Sequence, residues 1–262
     1  MLKPNHWFIF EVFFMNRSQP DTFQDQQTLS ILDEYLATIE PLKILDYTYK
    51  HYDKVSIAFS GAEDVVLIDM AVQIRDNPNV FVLDTGRLHA ETYCFIEQVR
   101  KHYPIDLEIL TYDTKRIEEF IHKKGLFSFY EDGHQECCTI RKVEPLKRKL
   151  AHLNLWITGQ RKDQAVTRCH IKIIHEDISF STEENKLLKL NPLADWSAER
   201  VWQYIIDNKV PFNPLHKMGF RSIGCQPCTR PILPCQHERE GRWWWEQEEL
   251  KECGLHQNSE EK

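Results

Sequence analysis

The sequence predicts an α/β protein built on a parallel, twisted sheet flanked by helices. Short apolar runs that are typical of buried strands alternate with longer segments whose apolar residues recur at helical spacing. Three of these runs stop at a polar turn that contains glycine. No internal repeat interrupts this order. Strands that alternate with helices form parallel βαβ units, so one parallel sheet is expected.

The individual elements follow from periodicity and turn signals. The first is a helix over residues 29–44, in which apolar residues recur every three to four positions. The predicted strands are residues 55–60, 80–84, 105–110 and 155–158. The later helices are residues 64–74, 89–101, 114–122, 139–151 and 197–208, the last opened by an N-cap serine. Residues 170–190 alternate apolar and polar side chains, which predicts a hairpin at the edge of the sheet.

The length of 262 residues is compatible with one substantial core. We predict a disordered N-terminal extension over residues 1–25 and the α/β domain over residues 26–235. Residues 236–262 are expected to be a C-terminal segment that ends in a flexible polar tail. The domain organisation is therefore one domain with a tail.

Composition excludes some classes of partner. The net charge of −7 argues against nucleic acid or a membrane surface. The apolar run at residues 7–14 is too short to span a membrane and contains Glu11. Basic residues gather in a few segments, for example Arg239 with Arg242, so a small anionic ligand is expected. A chain of this length does not need disulfides, and its eight cysteines are expected to be reduced thiols of a cytoplasmic protein.

Four cysteines are spaced as a metal-binding set. Cys137 and Cys138 are adjacent, and Cys225 and Cys228 form a Cys-x-x-Cys pair. Tetrathiolate sites hold zinc or an iron–sulfur cluster. Neighbouring Cα atoms only ~3.8 Å apart would crowd one small ion, and the more widely spaced irons of a cubane relieve that crowding. A vicinal disulfide and inert core thiols are the alternatives without a metal.

A fifth cysteine, Cys253, lies in the polar tail beside a lysine and a histidine. Cationic neighbours favour the thiolate, which is the nucleophilic form of a cysteine. Cys253 is therefore the candidate catalytic residue. Of the other cysteines, Cys94 is expected to be a small buried residue of a helix, and Cys169 and Cys235 receive no role.

Polar turns at three strand ends form a second group of candidate residues. Their sequences are Ser60-Gly61-Ala62-Glu63-Asp64, Leu83-Asp84-Thr85-Gly86-Arg87 and Thr158-Gly159-Gln160-Arg161-Lys162. Ser60 and the amides of the following helix can bind an anionic oxygen, and the guanidinium groups after the third strand suit phosphate or sulfate. Taken alone, each turn could equally be a helix N-cap or a solvated charge run. Because ligands of open α/β sheets lie at the carboxyl ends of strands, the turns are expected to face one crevice.

These motifs together resemble those of the adenylyl-sulfate and phosphoadenylyl-sulfate reductase family. The resemblance covers about residues 50–256 and also rests on Glu136-Cys137-Cys138, Ile140-Arg141-Lys142 and Glu252-Cys253-Gly254-Leu255-His256. The two cysteine pairs are similar to those of the cluster-containing branch, the bacterial assimilatory enzymes that act on adenosine 5′-phosphosulfate. For this chain the resemblance implies the adenine-nucleotide alpha-hydrolase-like (PP-loop) fold.

The resemblance also implies roles for individual residues. One [4Fe–4S] cluster per chain would be ligated by Cys137, Cys138, Cys225 and Cys228. The substrate-binding positions would be Ser60, Asp64, Leu83, Thr85, His134, Lys142, Arg168, Arg239 and Arg242. Their types suit this role, because backbone groups can pair with an adenine edge and cations can neutralise a phosphate and a sulfate.

The implied reaction is the reduction of adenosine 5′-phosphosulfate to sulfite and AMP, in sulfate assimilation and cysteine biosynthesis. It needs two electrons, whereas a [4Fe–4S] centre ordinarily passes one, so a thiol route is expected. Cys253 would attack the sulfonyl sulfur, and thioredoxin would release sulfite from the resulting S-sulfonate. A homo-oligomer is expected.

Three other functions are compatible with parts of this pattern. A reductase of 3′-phosphoadenosine 5′-phosphosulfate, or an enzyme of dual specificity, is the main alternative, although that branch generally lacks the paired cysteines. An ATP-splitting nucleotidyltransferase would have a more glycine-rich first turn and no use for Cys253. A non-catalytic iron–sulfur sensor that binds an adenine nucleotide is the alternative outside the enzymes.

Overall fold

A computed structural model describes residues 26–247 and shows one six-stranded sheet. The strands are β1 Val55–Phe59, β2 Asn79–Asp84, β3 Asp106–Thr111, β4 Leu155–Ile157, β5 Ile174–Glu176 and β6 Leu188–Leu190. Their order across the sheet is β3-β2-β1-β4-β6-β5. All neighbouring pairs are parallel except β5 with β6. The parallel α/β class predicted from the sequence is confirmed.

Helices connect the strands in the predicted order. They are α1 Gln26–Leu36, α2 Pro41–His51, α3 Ala62–Val72, α4 Ala90–His102, α5 Thr114–Lys124, α6 Gln135–Cys138, α7 Glu144–Leu150 and α8 Ala198–Asp207. A π-helical turn, Thr139–Val143, joins α6 to α7, so the helix predicted over residues 139–151 begins earlier, at Gln135. The N-cap predicted for α8 is confirmed, because Ser197 accepts a hydrogen bond from the Arg200 backbone N–H at 3.3 Å.

The helix predicted over residues 29–44 is wrong, because two helices occupy that stretch. Helix α1 ends at Leu36, and α2 begins at Pro41. Proline lacks the N–H that a continuing helix needs and its ring clashes with the preceding turn, but it fits the first position of a new helix. The apolar spacing continues across the break because both helices bury their apolar faces in the same core.

Alternation along the strands divides the interior into two cores. In β2, Val80 and Val82 belong to a large cluster that also includes residues of α1 to α4 and α8, whereas Phe81 belongs to a second cluster. In β4, Trp156 joins Phe81 in the second cluster, which also contains residues of α7. Successive side chains of a strand point to opposite faces, so the sheet is covered on both sides, as parallel sheets require.

The predicted edge hairpin is confirmed in part. Strand β5 lies at the edge and is antiparallel to β6, but β6 also pairs in parallel with β4 and so lies within the sheet. Helix α1 holds this edge, since the Asp33 carboxylate accepts hydrogen bonds from the Ile173 and Ile174 N–H groups at 2.7 and 3.0 Å.

Cys94 is exposed, so its expected burial is wrong. The buried residues of α4 are Thr92, Phe95, Ile96 and Val99, and Cys94 falls on the other side of the helix. None of the described helices is long and apolar enough to cross a membrane. The N-terminal extension and Cys253 lie outside the described residues.

Candidate active site

The turns after β1, β2 and β4 line one cleft at the carboxyl end of the sheet, with a cavity of about 200 Å³. This arrangement follows from the topology, because these three strands are parallel neighbours whose ends meet at the same edge. The predicted substrate-binding residues that line it are Ser60, Asp64, Leu83, Thr85, Lys142, Arg168, Arg239 and Arg242. The cleft also includes residues 221–225 and Glu238.

The carboxylate of Asp64 fastens the first turn to the third. One of its oxygens accepts hydrogen bonds from the Ser60 N–H at 2.8 Å, the Ser60 hydroxyl at 2.9 Å and the Gly61 N–H at 2.8 Å. The other accepts from the Gly159 N–H at 2.8 Å. Burial raises the pKa of Asp64 to about 6, while the bond from Gly61 opposes that rise. The Ser60 hydroxyl and the backbone N–H groups of Ser60, Gly61 and Gly159 are therefore engaged by a carboxylate of the protein.

The second turn links the cleft to the cysteines. Thr85 is buried, and its hydroxyl lies 3.2 Å from the sulfur of Cys225. The Thr85 carbonyl accepts a hydrogen bond from Arg141 at 2.5 Å. Leu88 forms an isolated antiparallel bridge with Cys225. The end of β2 therefore positions the Cys-x-x-Cys pair beside the cleft.

Several cations of the cleft converge on one indole ring. The side chains of Lys142, Arg242 and Arg239 lie 5.7, 4.5 and 5.9 Å from the centroid of Trp243. Trp243 is only 1% exposed and has a φ of 40°, a left-handed conformation that costs about 1–3 kcal/mol in residues other than glycine. Its backbone N–H donates to the Cys228 carbonyl at 3.1 Å. Tertiary contacts hold this residue in place, and it arranges the positive charge of the cleft.

His134 lies at the cysteine cavity and does not line the cleft. Its backbone N–H donates to Glu246 at 3.0 Å, and its ring nitrogen Nδ1 lies 2.6 Å from the same carboxylate. The imidazole stacks on Trp243. In this structure, His134 therefore secures residues 243–246 beside the cysteines.

All four predicted ligand cysteines lie together in a buried apolar cluster. The first pair occupies α6, whereas Cys225 is the N-cap and Cys228 the last residue of the short 3-10 helix Gln226–Cys228. They line a small cavity with the cations Arg87, Arg141 and Lys142. None of these thiols is in a disulfide, so the vicinal disulfide is not formed. Lys142 and Cys225 line both this cavity and the cleft.

The electrostatics of the four thiols are uneven. Burial raises the pKa of Cys137, and burial together with the neighbouring Cys225 raises that of Cys228 to about 12. Burial would also raise the pKa of Cys225, but Lys142 and the hydrogen bond from Thr85 outweigh it and lower the pKa. Cys225 is thus the thiol that these cations and Thr85 favour as a thiolate.

The cysteine cavity contains N–H donors that could bond to an anionic group with hydrogen-bond acceptors of its own. Within residues 26–247, no hydrogen-bond partner is found for buried N–H groups of two residues that line it, Arg87 and Arg141. In the same part of the chain, no three His, Cys, Asp or Glu side chains are spaced to hold a metal ion. Four thiols with surplus N–H donors fit a sulfide-containing cluster, whose sulfur atoms accept hydrogen bonds, better than one zinc ion.

Two residues of the cysteine cavity, Arg87 and Arg141, received no role from the sequence. Both lie within motifs that carry the resemblance, which is the signal that could have indicated them. Arg87 donates to the Leu126 carbonyl at 2.6 Å and lies 5.1 Å from the ring of Phe129. A lone arginine in a turn does not reveal whether it faces solvent or a cavity.

The Arg161 guanidinium does not have the environment expected of a group that binds phosphate or sulfate. It is 1% exposed, and its guanidinium pairs with the carboxylates of Glu63, Asp163 and Glu238. Burial and repulsion from Glu63 raise the pKa of Glu238 to about 7, while Arg161 opposes that rise. Carboxylates of the protein therefore occupy the Arg161 guanidinium, which was expected to contact a ligand anion.

A mainly parallel sheet with a cleft at its strand-end turns defines an open α/β protein, a class that binds ligands at this edge of the sheet. Solved structures share the fold: 92% of the chain superimposes on 80% of an FMN adenylyltransferase from Candida glabrata, with a TM-score of 0.52 and 13% identity, which shows the fold alone. Residues 54–231 match the model of the phosphoadenosine phosphosulfate reductase domain. The chain belongs to this family.

Relatives within the family are similar over most of the chain. An adenosine 5′-phosphosulfate reductase of Pseudomonas aeruginosa is 54% identical over 239 residues, 90% of each chain. A chloroplastic 5′-adenylylsulfate reductase of Arabidopsis thaliana is 49% identical over 87% of this chain and 50% of its own length. The crystal structure of a phosphoadenylyl-sulfate reductase from Candida auris, in complex with phosphate, has a TM-score of 0.66 and 26% identity over 79% of this chain and 98% of its own.

Proposed function

We propose that the protein reduces adenosine 5′-phosphosulfate to sulfite and AMP in sulfate assimilation. The structural observation that carries the proposal is the shared wall between the nucleotide cleft and the four-cysteine cavity, formed by Lys142 and Cys225. Relatives named adenosine 5′-phosphosulfate reductase at 54% and 42% identity support the same substrate. A nucleotidyltransferase would have no use for cysteines at this position.

The cleft suits a nucleotide that carries two adjacent anionic groups. Lys142, Arg168, Arg239 and Arg242 supply four cations, enough to neutralise a phosphate and a sulfate through charge-assisted hydrogen bonds. The apolar lining near Leu83 suits an adenine ring, and the backbone of Leu83 can pair with its edge. Ser60 and Thr85 line the same cleft.

We infer that Cys137, Cys138, Cys225 and Cys228 hold one [4Fe–4S] cluster, supported by their grouping and by the surplus N–H donors around them. When bound, such a cluster with its thiolates supplies a fixed negative charge beside the cleft. Lys142, which lines both cavities, would keep its ammonium group between that charge and the substrate. The electrons for the reaction come from thiols.

Cys253 is the proposed nucleophile. Its thiolate forms a bond to the sulfonyl sulfur, the bond from sulfur to the phosphate oxygen breaks, and AMP leaves with that electron pair. A thiolate of thioredoxin then attacks the Cys253 sulfur and displaces sulfite. The second thioredoxin thiol resolves the mixed disulfide, so the two electrons come from the thioredoxin dithiol. We place this reaction in the cytoplasm, where thiols stay reduced, and expect a homo-oligomer.

The test is a sulfite assay on anaerobically purified protein with adenosine 5′-phosphosulfate and reduced thioredoxin. We expect sulfite and AMP in equal amounts, and, without thioredoxin, a sulfonate on Cys253 by peptide mass analysis. Cys253→Ser should abolish turnover and leave the visible absorption of the protein unchanged. Sulfonate on another cysteine, or full activity of Cys253→Ser, would reject this mechanism.

Reduction of 3′-phosphoadenosine 5′-phosphosulfate is the second candidate. The family model and the Candida auris enzyme carry that name, and the latter is 26% identical. The four grouped cysteines and the 54% identity to an adenosine 5′-phosphosulfate reductase favour the substrate without a 3′-phosphate. Comparing kcat/KM for the two nucleotides decides between a specific and a dual enzyme.

A further inference from the structure

The buried Arg161 joins two distant parts of the chain at the cleft. Its Nη2 donates to Glu238 at 2.8 Å and lies 3.0 Å from Glu63. Glu63 belongs to the first turn, whereas Glu238 belongs to the C-terminal segment, 77 positions after Arg161. The guanidinium is 1% exposed, so these bonds are screened little by solvent.

Arg161 is itself held in place by hydrogen bonds to neighbouring side chains. The Arg161 backbone N–H donates to the Gln164 side-chain oxygen at 3.1 Å, and the Gln164 amide donates to Glu63 at 3.0 Å. Arg161 Nε also donates to Glu63 at 3.1 Å. The guanidinium fork is planar and rigid. Arg161 therefore presents its Nη2 group to Glu238 in one defined direction.

Glu238 forms its hydrogen bond outside the C-terminal segment, unlike the residues just before it. Gln236 and His237 form hydrogen bonds with Glu240 inside the segment, at 2.8 and 2.6 Å. Glu238 reaches instead to Arg161, and the residue after it, Arg239, lines the cleft. The turn continues into Arg242, whose N–H donates to the Arg239 carbonyl at 2.9 Å. A fixed Glu238 thus limits where the Arg239 side chain can lie.

We propose that Arg161 is a positioning residue that, through Glu238, holds Arg239 in place to bind the anionic part of the substrate. This role rests on the proposed function, because Arg239 is taken there as a cation for the phosphosulfate. Three carboxylates surround one guanidinium, which gives a net negative charge beside a cleft for an anion. This charge by itself repels an anion, so the cluster does not contact the substrate, and its role is to orient the adjacent cation, Arg239.

A double-mutant cycle on Glu238 and Arg239 tests the role. We expect Glu238→Ala to lower kcat/KM for adenosine 5′-phosphosulfate about tenfold in the otherwise intact enzyme, and by less than about twofold when Arg239→Ala is already present. Such a result means that Glu238 acts through Arg239. A merely structural contribution would lower kcat/KM by the same factor in both backgrounds.

The matched control is Lys162→Ala. Lys162 neighbours Arg161, but its ammonium pairs with Asp195 at 2.6 Å on the exposed surface, and kcat/KM should stay within about twofold of the parent. Thermal unfolding of each variant shows whether it is folded. Equal losses in the two backgrounds, or no loss for Glu238→Ala, overturn the positioning role. If the parent enzyme releases no sulfite from this substrate, the proposed function fails first, and the positioning role falls with it.

Discussion

The imidazole of His134 stacks on the indole of Trp243, with ring centroids 4.3 Å apart and planes inclined by 24°. His134 belongs to the segment before the first cysteine pair, and Trp243 belongs to the C-terminal segment. The contact therefore connects the cysteine cavity to the segment that carries two arginines of the cleft. Trp243 therefore contacts both the segment before the first cysteine pair and the cations of the cleft.

Replacement of Trp243 should be costly to both stability and activity. Trp243→Ala is expected to lower the free energy of unfolding by about 3–5 kcal/mol, because it leaves a large cavity in a buried cluster. Trp243→Phe should retain the stack on His134 and lose less. Urea unfolding measures both. The adjacent Trp244→Ala is the control, since Trp244 is only half-buried, and an equal loss there would contradict this role.

Gly159 should tolerate no side chain, whereas Gly61 should. A Cβ at Gly159 would lie 2.5 Å from the Glu63 Cβ and 2.7 Å from an Asp64 carboxylate oxygen, but a Cβ at Gly61 would meet nothing nearer than 3.4 Å. We expect Gly159→Ala to destabilise the protein by about 1–3 kcal/mol and to raise KM. Gly61→Ala should cost less than about 1 kcal/mol, since its φ of −138° suits any residue. Equal stabilities of the two variants by urea unfolding would argue against the tight packing of these turns.

Removing one of the four cysteines proposed to hold a cluster should remove iron. Cys228→Ser is expected to lose bound iron and visible absorption after anaerobic purification, and to lose sulfite production with them, because a cluster held by three thiolates is weakly retained. Cys94→Ser is the matched control, since Cys94 is exposed on α4. Iron analysis and the visible spectrum measure the effect. Full iron content in Cys228→Ser would show that this thiol is not a ligand.

The raised pKa of Glu238 predicts a pH effect on stability. Burial and repulsion from Glu63 raise the pKa of this carboxyl from its ordinary value of 4.5, which applies to the unfolded chain, to about 7 in the folded protein. Between these values the folded state binds more protons, so this residue makes the protein less stable as the pH rises. The groups that face it are Arg161, Glu63 and Asp163.

Glu238→Gln cannot titrate, and it isolates this contribution. The melting temperature of the variant, relative to the parent, should rise as the pH increases from about 4.5 to about 7 and then level off. Thermal unfolding at several pH values measures the difference. A difference independent of pH would mean that the carboxyl titrates normally in the folded protein.

Much of the fold could be predicted because its signals are local. The strands at residues 55–60 and 80–84 were evident as short apolar runs, and the observed strands differ from them by one residue at one end. The apolar spacing predicts one unbroken helix over residues 29–44, although Pro41 is itself a local signal for a new helix. Burial of Cys94 is wrongly predicted, although the buried residues of its helix recur at a clear helical period.

The candidate site was predictable in part for the same reason. The turns with Ser60 and Thr85 were expected at one edge, because parallel strands end there together. The partners of charged side chains were not predictable. Nothing near Arg161 in the sequence indicates that Glu238, 77 positions away, would accept its hydrogen bond.

The sequence by itself determined the alternation of strands and helices, the strand-end turns and the two cysteine pairs, because periodicity and spacing act between residues that are close along the chain. Only the tertiary structure decided that Asp64 would engage the amides of the first turn, and that His134, which does not line the cleft, would stack on Trp243. These contacts depend on distances in space between segments remote in sequence. Hydrogen bonds and charges act over such distances whatever the separation along the chain.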